Sequence, residues 1–196
     1  AAVVDLAIME RNLRLMAAYT SQHGLALRPH VKTHKSPWIA GRQMALGAVG
    51  LTCATPREAE LMSTVASDIL VAYPPVGRAR VERLMALPEL VRLTVALDSA
   101  EAIASLATAA RAAGRKVGVY IELDFGMHRV GVATPEDALR LARLVERETL
   151  LDFRGIAFYP GHVRGHVGQQ AAGLAELRSQ VAQARETLDR AGVPLK

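Results

Sequence analysis

Apolar positions along the chain change their period again and again. From Asp5 to Tyr19, Leu6, Met9, Leu13 and Met16 recur every three or four residues with Glu10, Arg11 and Arg14 opposite, which predicts an amphipathic helix. His23-Gly24 closes it with a residue suited to a left-handed cap. Leu25 to Lys32 then predicts a strand, although Pro29 has no N–H to give a ladder, so a bulge or a sheet edge is expected there. Ser36-Pro37 opens the next helix, with Ser as N-cap and Pro in the first turn. Val49 to Ala54 is a short apolar strand, followed by Thr55-Pro56-Arg57-Glu58, a capping box. Further strands are predicted at Ile69 to Tyr73, Val91 to Leu97, Val117 to Leu123 and Phe153 to Tyr159. Between and after them run helices: Gly77 to Leu87, one capped by Asp98 or Ser99 that ends near Gly114, one opened by Thr134-Pro135-Glu136-Asp137, and one from about Gln169 to Arg190.

Strict alternation of strand and helix implies a parallel sheet with crossover helices, and strands this apolar suit burial on both faces. A doubly wound sheet and a (β/α)8 barrel both fit. No Gly-rich loop follows the first strand, where a dinucleotide-binding domain would carry one, so the barrel is favoured. Six strands are counted, and Ala191 to Lys196 resembles the lead-in to a seventh. A complete barrel takes about 250 residues, so residues 1–196 are expected to form a single, incomplete barrel domain of about six βα units.

Composition narrows the function classes. Hydrophobic residues make up 51% of the chain but aromatics only 4%, so the core must be built from Ala, Leu and Val. No apolar run reaches the roughly 18 residues of a membrane span, and the first residues lack the charged start of a signal peptide. The single cysteine, Cys53, excludes an internal disulfide and reads as a small buried hydrophobe, consistent with a reducing cytoplasm. The net charge of +5 raises nucleic acid as a partner. Most of the arginines, however, are interleaved with Glu on helices, and no basic run alternates with aromatics.

The chemistry is expected at the carboxyl ends of the strands. Of 24 Lys and Arg residues only four are Lys, and two of these, Lys32 and Lys35, stand beside His30 and His34 at the end of the first strand. Lysine, unlike Arg, can lose its proton and form a Schiff base. On an ideal strand Arg28, His30 and Lys32 share one face while Leu27 and Val31 pack against helices. A basic, solvated turn is the alternative. A second strand end, Glu122 to Gly131, sets two carboxylates before two glycines that bracket His128 and Arg129. Arg129 there suits an anionic or phenolate group, Glu122 or Asp124 suits a base-orienting role, and a loop ion pair is the alternative. The third, Phe158 to His166, supplies the proton carriers Tyr159, His162 and His166. The two histidines have zinc-ligand spacing on a helix, but Gly165 argues against a helix there. His23 and Trp38 read as structural.

With these three strand ends together, the sequence resembles the fold-type III pyridoxal-phosphate enzymes, whose barrel is of the alanine racemase kind. Within them it is most similar to the D-threonine aldolase and D-serine dehydratase branch. Arg28-Pro29-His30-Val31-Lys32-Thr33-His34-Lys35 matches the branch's cofactor-lysine segment, and the Glu122–Gly131 and Tyr159-Pro160-Gly161-His162 segments match in order. The resemblance implies that Lys32, not Lys35, forms the internal aldimine, with His30, Arg129 and Tyr159 around pyridoxal 5'-phosphate. It makes His166 or His162, with His166 preferred, the base that takes the substrate's β-hydroxyl proton.

The activity so implied is cleavage of a β-hydroxy-D-amino acid of the D-threonine type to glycine and an aldehyde, assisted by a divalent metal such as Mn2+, in a cytoplasmic homodimer. D-serine dehydration and a non-catalytic pyridoxal-phosphate-binding barrel are the alternatives. Three family features are expected to lie outside this chain: the strand preceding Asp5, the Gly/Ser-rich phosphate loop, and the C-terminal β-domain with the metal ligands. No metal ligand is therefore assigned within residues 1–196, and the stretch by itself is expected to be inactive.

Overall fold

The computed structural model describes residues 3–195. Five strands, β1 (Leu51–Cys53), β2 (Asp68–Val71), β3 (Arg92–Leu97), β4 (Val117–Glu122) and β5 (Leu151–Ala157), form one parallel sheet in the order of the chain. Each pair of neighbouring strands is joined by a helix: α3 (Pro56–Met62), α4 (Arg78–Met85), α5 (Ala100–Ala113) and α6 (Pro135–Glu146). Helices α1 (Leu6–Gln22) and α2 (Pro37–Ala45) precede β1, and α7 (Ala171–Arg190) follows β5. This is the expected partial barrel. A doubly wound sheet would reverse its strand order at a switch point, and this sheet never does.

Local chemistry accounts for the helix limits. Ser36, Thr55, Ser99 and Thr134 each accept an amide N–H of the helix they open, so Ser99 rather than Asp98 caps α5. Gly114 closes α5 at φ +63, a conformation that costs glycine nothing. The capping box at Thr55 is displaced by one residue, because Glu58 receives the N–H of Ala54, not that of Thr55. Ile103, Leu106, Ala107 and Ala110 of α5 and Ala138, Leu141, Ala142 and Val145 of α6 form buried stripes against the sheet.

Strand alternation sets which side chains reach the helices. Val117, Val119 and Ile121 of β4 join the apolar core, so Gly118, Tyr120 and Glu122 lie on the opposite, inner face. One β-bulge, at Arg154, lets Tyr120 pair with Gly155 while Val119 pairs with Phe153.

The first predicted strand is only partly realised. Leu27 and Pro29 accept the N–H groups of Val49 and Thr52, and Val31 donates to Thr52, yet the sole bridge is His30 with Thr52. The cause is visible in the register: the chain advances two residues from Leu27 to Pro29 while its neighbour advances three, and Pro29 has no N–H for the missing rung. The expected shared face of Arg28, His30 and Lys32 therefore does not form. Val31 begins a four-residue turn that carries Lys32 off the strand. Arg28 instead pairs with Asp68 at the amino end of β2, 2.5 Å away.

Two other expectations change. The apolar stripe of α1 is only partly covered, with Met9 and Leu13 half-buried but Leu6 59% and Met16 51% accessible, and Glu10 of this helix pairs with Arg42 of α2. Trp38 is also exposed, on the first turn of α2. Ala191 to Leu195 forms no strand, although Val193 is buried, and Lys196 lies outside the described residues.

Candidate functional site

The turn after the first strand segment presents Lys32 and Lys35 differently. Lys35 N–H donates to the Val31 carbonyl over 2.8 Å, closing the turn, and Lys35 adopts φ +49. Its Nζ lies 3.0 Å from Oε1 of Glu58, a residue only 6% exposed. Lys32 is exposed, and among the described residues no carboxylate lies within ion-pair reach of it. Its Nζ stands 5.7 Å from the centre of the Tyr159 ring. His34 Nδ1 accepts the N–H of Ser36 at 3.0 Å, which makes that histidine part of the turn's framework.

The loop after β4 is tied down at several points. Oδ1 of Asp124 accepts the N–H groups of Gly126 and His128, and Oδ2 lies 3.1 Å from His128 Nδ1. Burial pushes the Asp124 carboxyl up, but these donors outweigh it and hold it below the usual carboxylate range. Gly131 donates to Asp98 at 3.0 Å, and a Cβ on Gly131 would stand 2.6 Å from the Asp124 nitrogen, so only glycine fits this close backbone crossing. The polar contacts that tie this loop thus centre on Asp124, which gathers two backbone amides and the His128 ring.

Glu122 behaves in the opposite way. It is 6% exposed, and its Oε2 is buried with no hydrogen-bond partner among the described residues. Burial pushes its carboxyl up to about 7; Arg129 opposes this, while Asp98 and Asp124 reinforce it. Arg129 itself stands with its Cζ 5.4 Å from the Tyr159 ring, so two cationic side chains from different strand ends reach the same tyrosine ring. His30, beside Lys32, is kept low by burial first and then by the nearby Lys32 charge, which favours its neutral form.

Of the residues singled out from sequence, Lys32, His30, Arg129 and Tyr159 come together at the carboxyl end of the sheet. His162 lies over the loop after β4: its ring packs on Gly126, where a Cβ would stand 2.9 Å from two of its atoms. His166 is exposed ahead of a 3-10 turn, Val167–Gln169, and among the described residues no hydrogen bond, ion pair or ring contact joins its side chain to the group. The segment between the two histidines is not helical, since Gly165 adopts φ +106. Cys53 is fully buried, and burial pushes its thiol up to about 12, which leaves it inert.

Sequence reasoning missed two groups. Glu58 reads in sequence as a capping residue, and its reach to Lys35 in another βα unit has no local signal. Asp98 reads as a cap, yet it serves the loop after the next strand.

The same fold recurs in known proteins. The solved structure of D-threonine aldolase from Filomicrobium marinum superposes with a TM-score of 0.93 at 36% identity, covering 98% of this chain and 53% of that one. The D-threonine aldolase of Arthrobacter sp. is 37% identical over 190 residues, 91% of this chain and 50% of that protein. The D-threo-3-hydroxyaspartate dehydratase of Delftia sp. is 36% identical over 204 residues, 99% of this chain and 52% of that protein. The chain thus spans about half the length of these relatives. Residues 4–195, the whole run that carries the three strand ends, match the alanine racemase N-terminal domain, and it is to that family that the chain belongs.

Proposed function

We propose that this chain is the barrel part of a pyridoxal-phosphate-dependent lyase that cleaves a β-hydroxy-D-amino acid of the D-threonine type to glycine and an aldehyde. One observation carries the reading. Of the two lysines in the turn, Lys35 is held by Glu58, while Lys32 offers an exposed amine beside Tyr159 and Arg129. These residues fit the aldehyde and ring of the cofactor: an amine with no carboxylate partner, an aromatic face and a guanidinium suited to a phenolate oxygen.

Lys32 would hold the cofactor through its amine, Arg129 would face the ring's oxygen, and Tyr159 and the neutral His30 would border the ring. The cofactor supplies, when bound, an electron sink conjugated to the substrate's Cα. His166 or His162 takes the proton of the β-hydroxyl. A divalent metal, Mn2+, completes the proposal, held by groups outside these residues, as does assembly into a cytoplasmic homodimer. Among the described residues no helix is long and apolar enough to cross a membrane.

Dehydration is the second reading, favoured by the similarity to the Delftia sp. dehydratase over 99% of this chain. Assays of D-threonine and D-serine side by side, with and without Mn2+, separate the two by glycine plus aldehyde against ammonia plus keto acid. Addition of pyridoxal phosphate should give an absorbance band near about 420 nm that Lys32→Ala removes and Lys35→Ala retains. A band that survives in Lys32→Ala would sink the assignment.

A further inference from the structure

We infer that Glu58 is a positioning residue that decides which lysine of the turn meets an aldehyde: it clamps Lys35 in an ion pair and so leaves Lys32 as the free amine. The inference rests on the reading of Lys32 given above and adds to it a residue from a different βα unit.

The turn from Val31 to Lys35 is short and ends in an unfavourable conformation. A residue with a side chain at φ +49 is strained by about 1 kcal/mol relative to the right-handed region, and Gly or Asn would fit more easily. Lys35 stands there nonetheless. Two contacts hold it: its N–H to the Val31 carbonyl at 2.8 Å, and its Nζ to Glu58 at 3.0 Å. The second contact explains the residue type, since neither Gly nor Asn carries an ammonium.

The pair is lopsided. Most of the Lys35 side chain is in water, but the Glu58 carboxylate is buried, with Oε2 taking the Ala54 N–H at 2.7 Å and Oε1 taking Lys35. Burial pushes this carboxyl up, and the Ala54 amide and Lys35 outweigh it, so it stays ionised. If Lys35 swings away, a buried carboxylate loses its counter-ion, and that cost holds the ammonium in place. An amine engaged as an ammonium is not a nucleophile. Lys32, three residues earlier, meets no such partner among the described residues and projects toward Tyr159. One carboxylate thereby fixes the turn and sorts two otherwise similar lysines.

The test uses pyridoxal phosphate as the aldehyde probe, borohydride to fix it on whichever lysine has captured it, and peptide mass spectrometry to locate it. The unsubstituted protein should carry label on Lys32 in at least about tenfold excess over Lys35, the scale of one hydrogen-bonded charge pair. Glu58→Gln keeps the shape of the side chain and removes the charge, so Lys35 should become labelled and the excess should collapse. Lys35→Arg keeps the ion pair and should label Lys32 as the unsubstituted protein does, whereas Lys35→Met should label it severalfold less. An unchanged ratio in a folded Glu58→Gln protein overturns the clamp and leaves the assignment of Lys32 standing. Should Glu58→Gln fail to fold, equal Lys32 labelling in Lys35→Arg and Lys35→Met overturns it instead. Absence of Lys32 label in the unsubstituted protein overturns the assignment of Lys32 itself, and the clamp with it.

Discussion

The two ends of the sheet carry the same kinds of charged residue and treat them differently. At the amino end, Asp68 begins β2 and binds the guanidinium groups of Arg28 and of Arg92, the first residue of β3. Nearby, Arg115 donates to the carbonyls of Leu87, Pro88 and Val91. At the carboxyl end, Lys32 has no carboxylate within reach, and a buried oxygen of Glu122 has no donor, among the described residues. The contrast lies in particular groups: Arg28 and Arg92 share Asp68 at the amino end, while among the described residues Lys32 and the buried oxygen of Glu122 find no such partner at the carboxyl end, which is what the proposed cofactor site there would use.

Substitutions at the two ends should therefore separate function from stability. Lys32→Ala should abolish pyridoxal-phosphate labelling at the turn while changing stability by less than about 0.5 kcal/mol, because the side chain is exposed. Asp68→Ala should do the reverse. It leaves Arg28 partly buried without a partner, and urea unfolding should show a loss of about 3 kcal/mol. Labelling of Lys32 per folded molecule should stay the same. A labelling defect in Asp68→Ala would mean that the two ends are coupled.

Much of this division is legible in the sequence. The strand–helix alternation, the N-caps and the order of the strand ends follow from periods and short-range hydrogen bonds, which are local in sequence. The failures concern contacts between units. An ideal strand places Arg28 with Lys32, but the missing N–H of Pro29 and the bulge opposite it end the ladder at His30, so the two cations part toward opposite ends of the sheet. Glu122 and Asp124 look alike in sequence. Only the fold shows that Asp124 collects two amides and a histidine while Glu122 collects no donor at its buried oxygen. The half-exposed stripe of α1 has a pattern indistinguishable from that of a packed helix, because amphipathicity records a face to be covered and not what covers it.

The two ends should also titrate in opposite directions. Burial works to raise the Asp68 carboxyl, but Arg28 and Arg92 outweigh it and hold it below its ordinary value. Its stabilising contribution is thus full at neutral pH and lost as pH falls through that depressed value. Glu122 is raised from 4.5 to about 7, so the folded state binds its proton more tightly than the unfolded chain does. Stability at this site is full below about pH 4.5 and falls as pH rises to about 7. Glu122→Gln removes that penalty. Relative to the unsubstituted protein it should be more stable by about 2–3 kcal/mol at pH 8, with the gain gone by pH 4, as chemical unfolding at the two pH values would show. A gain that persists at pH 4 would assign the effect to packing.

The smallest effect expected concerns how Tyr159 holds the two cations near its ring. Each contact, at 5.7 Å for Lys32 and 5.4 Å for Arg129, is worth about 0.5–1 kcal/mol at an exposed site. Tyr159→Phe keeps the ring face and should leave the melting transition unchanged, so any loss of turnover in that variant belongs to the hydroxyl group. Tyr159→Leu removes the face and should cost about 1 kcal/mol. Gly161 offers an independent route to the same result. A Cβ there would stand 2.3 Å from Cε1 of the tyrosine ring, while Gly161 is not among the glycines held at positive φ. Gly161→Ala should therefore push the ring off both cations without deleting it and match Tyr159→Leu in stability. If Gly161→Ala is silent while Tyr159→Leu is not, the ring acts through its apolar contacts and not through the two nearby charges.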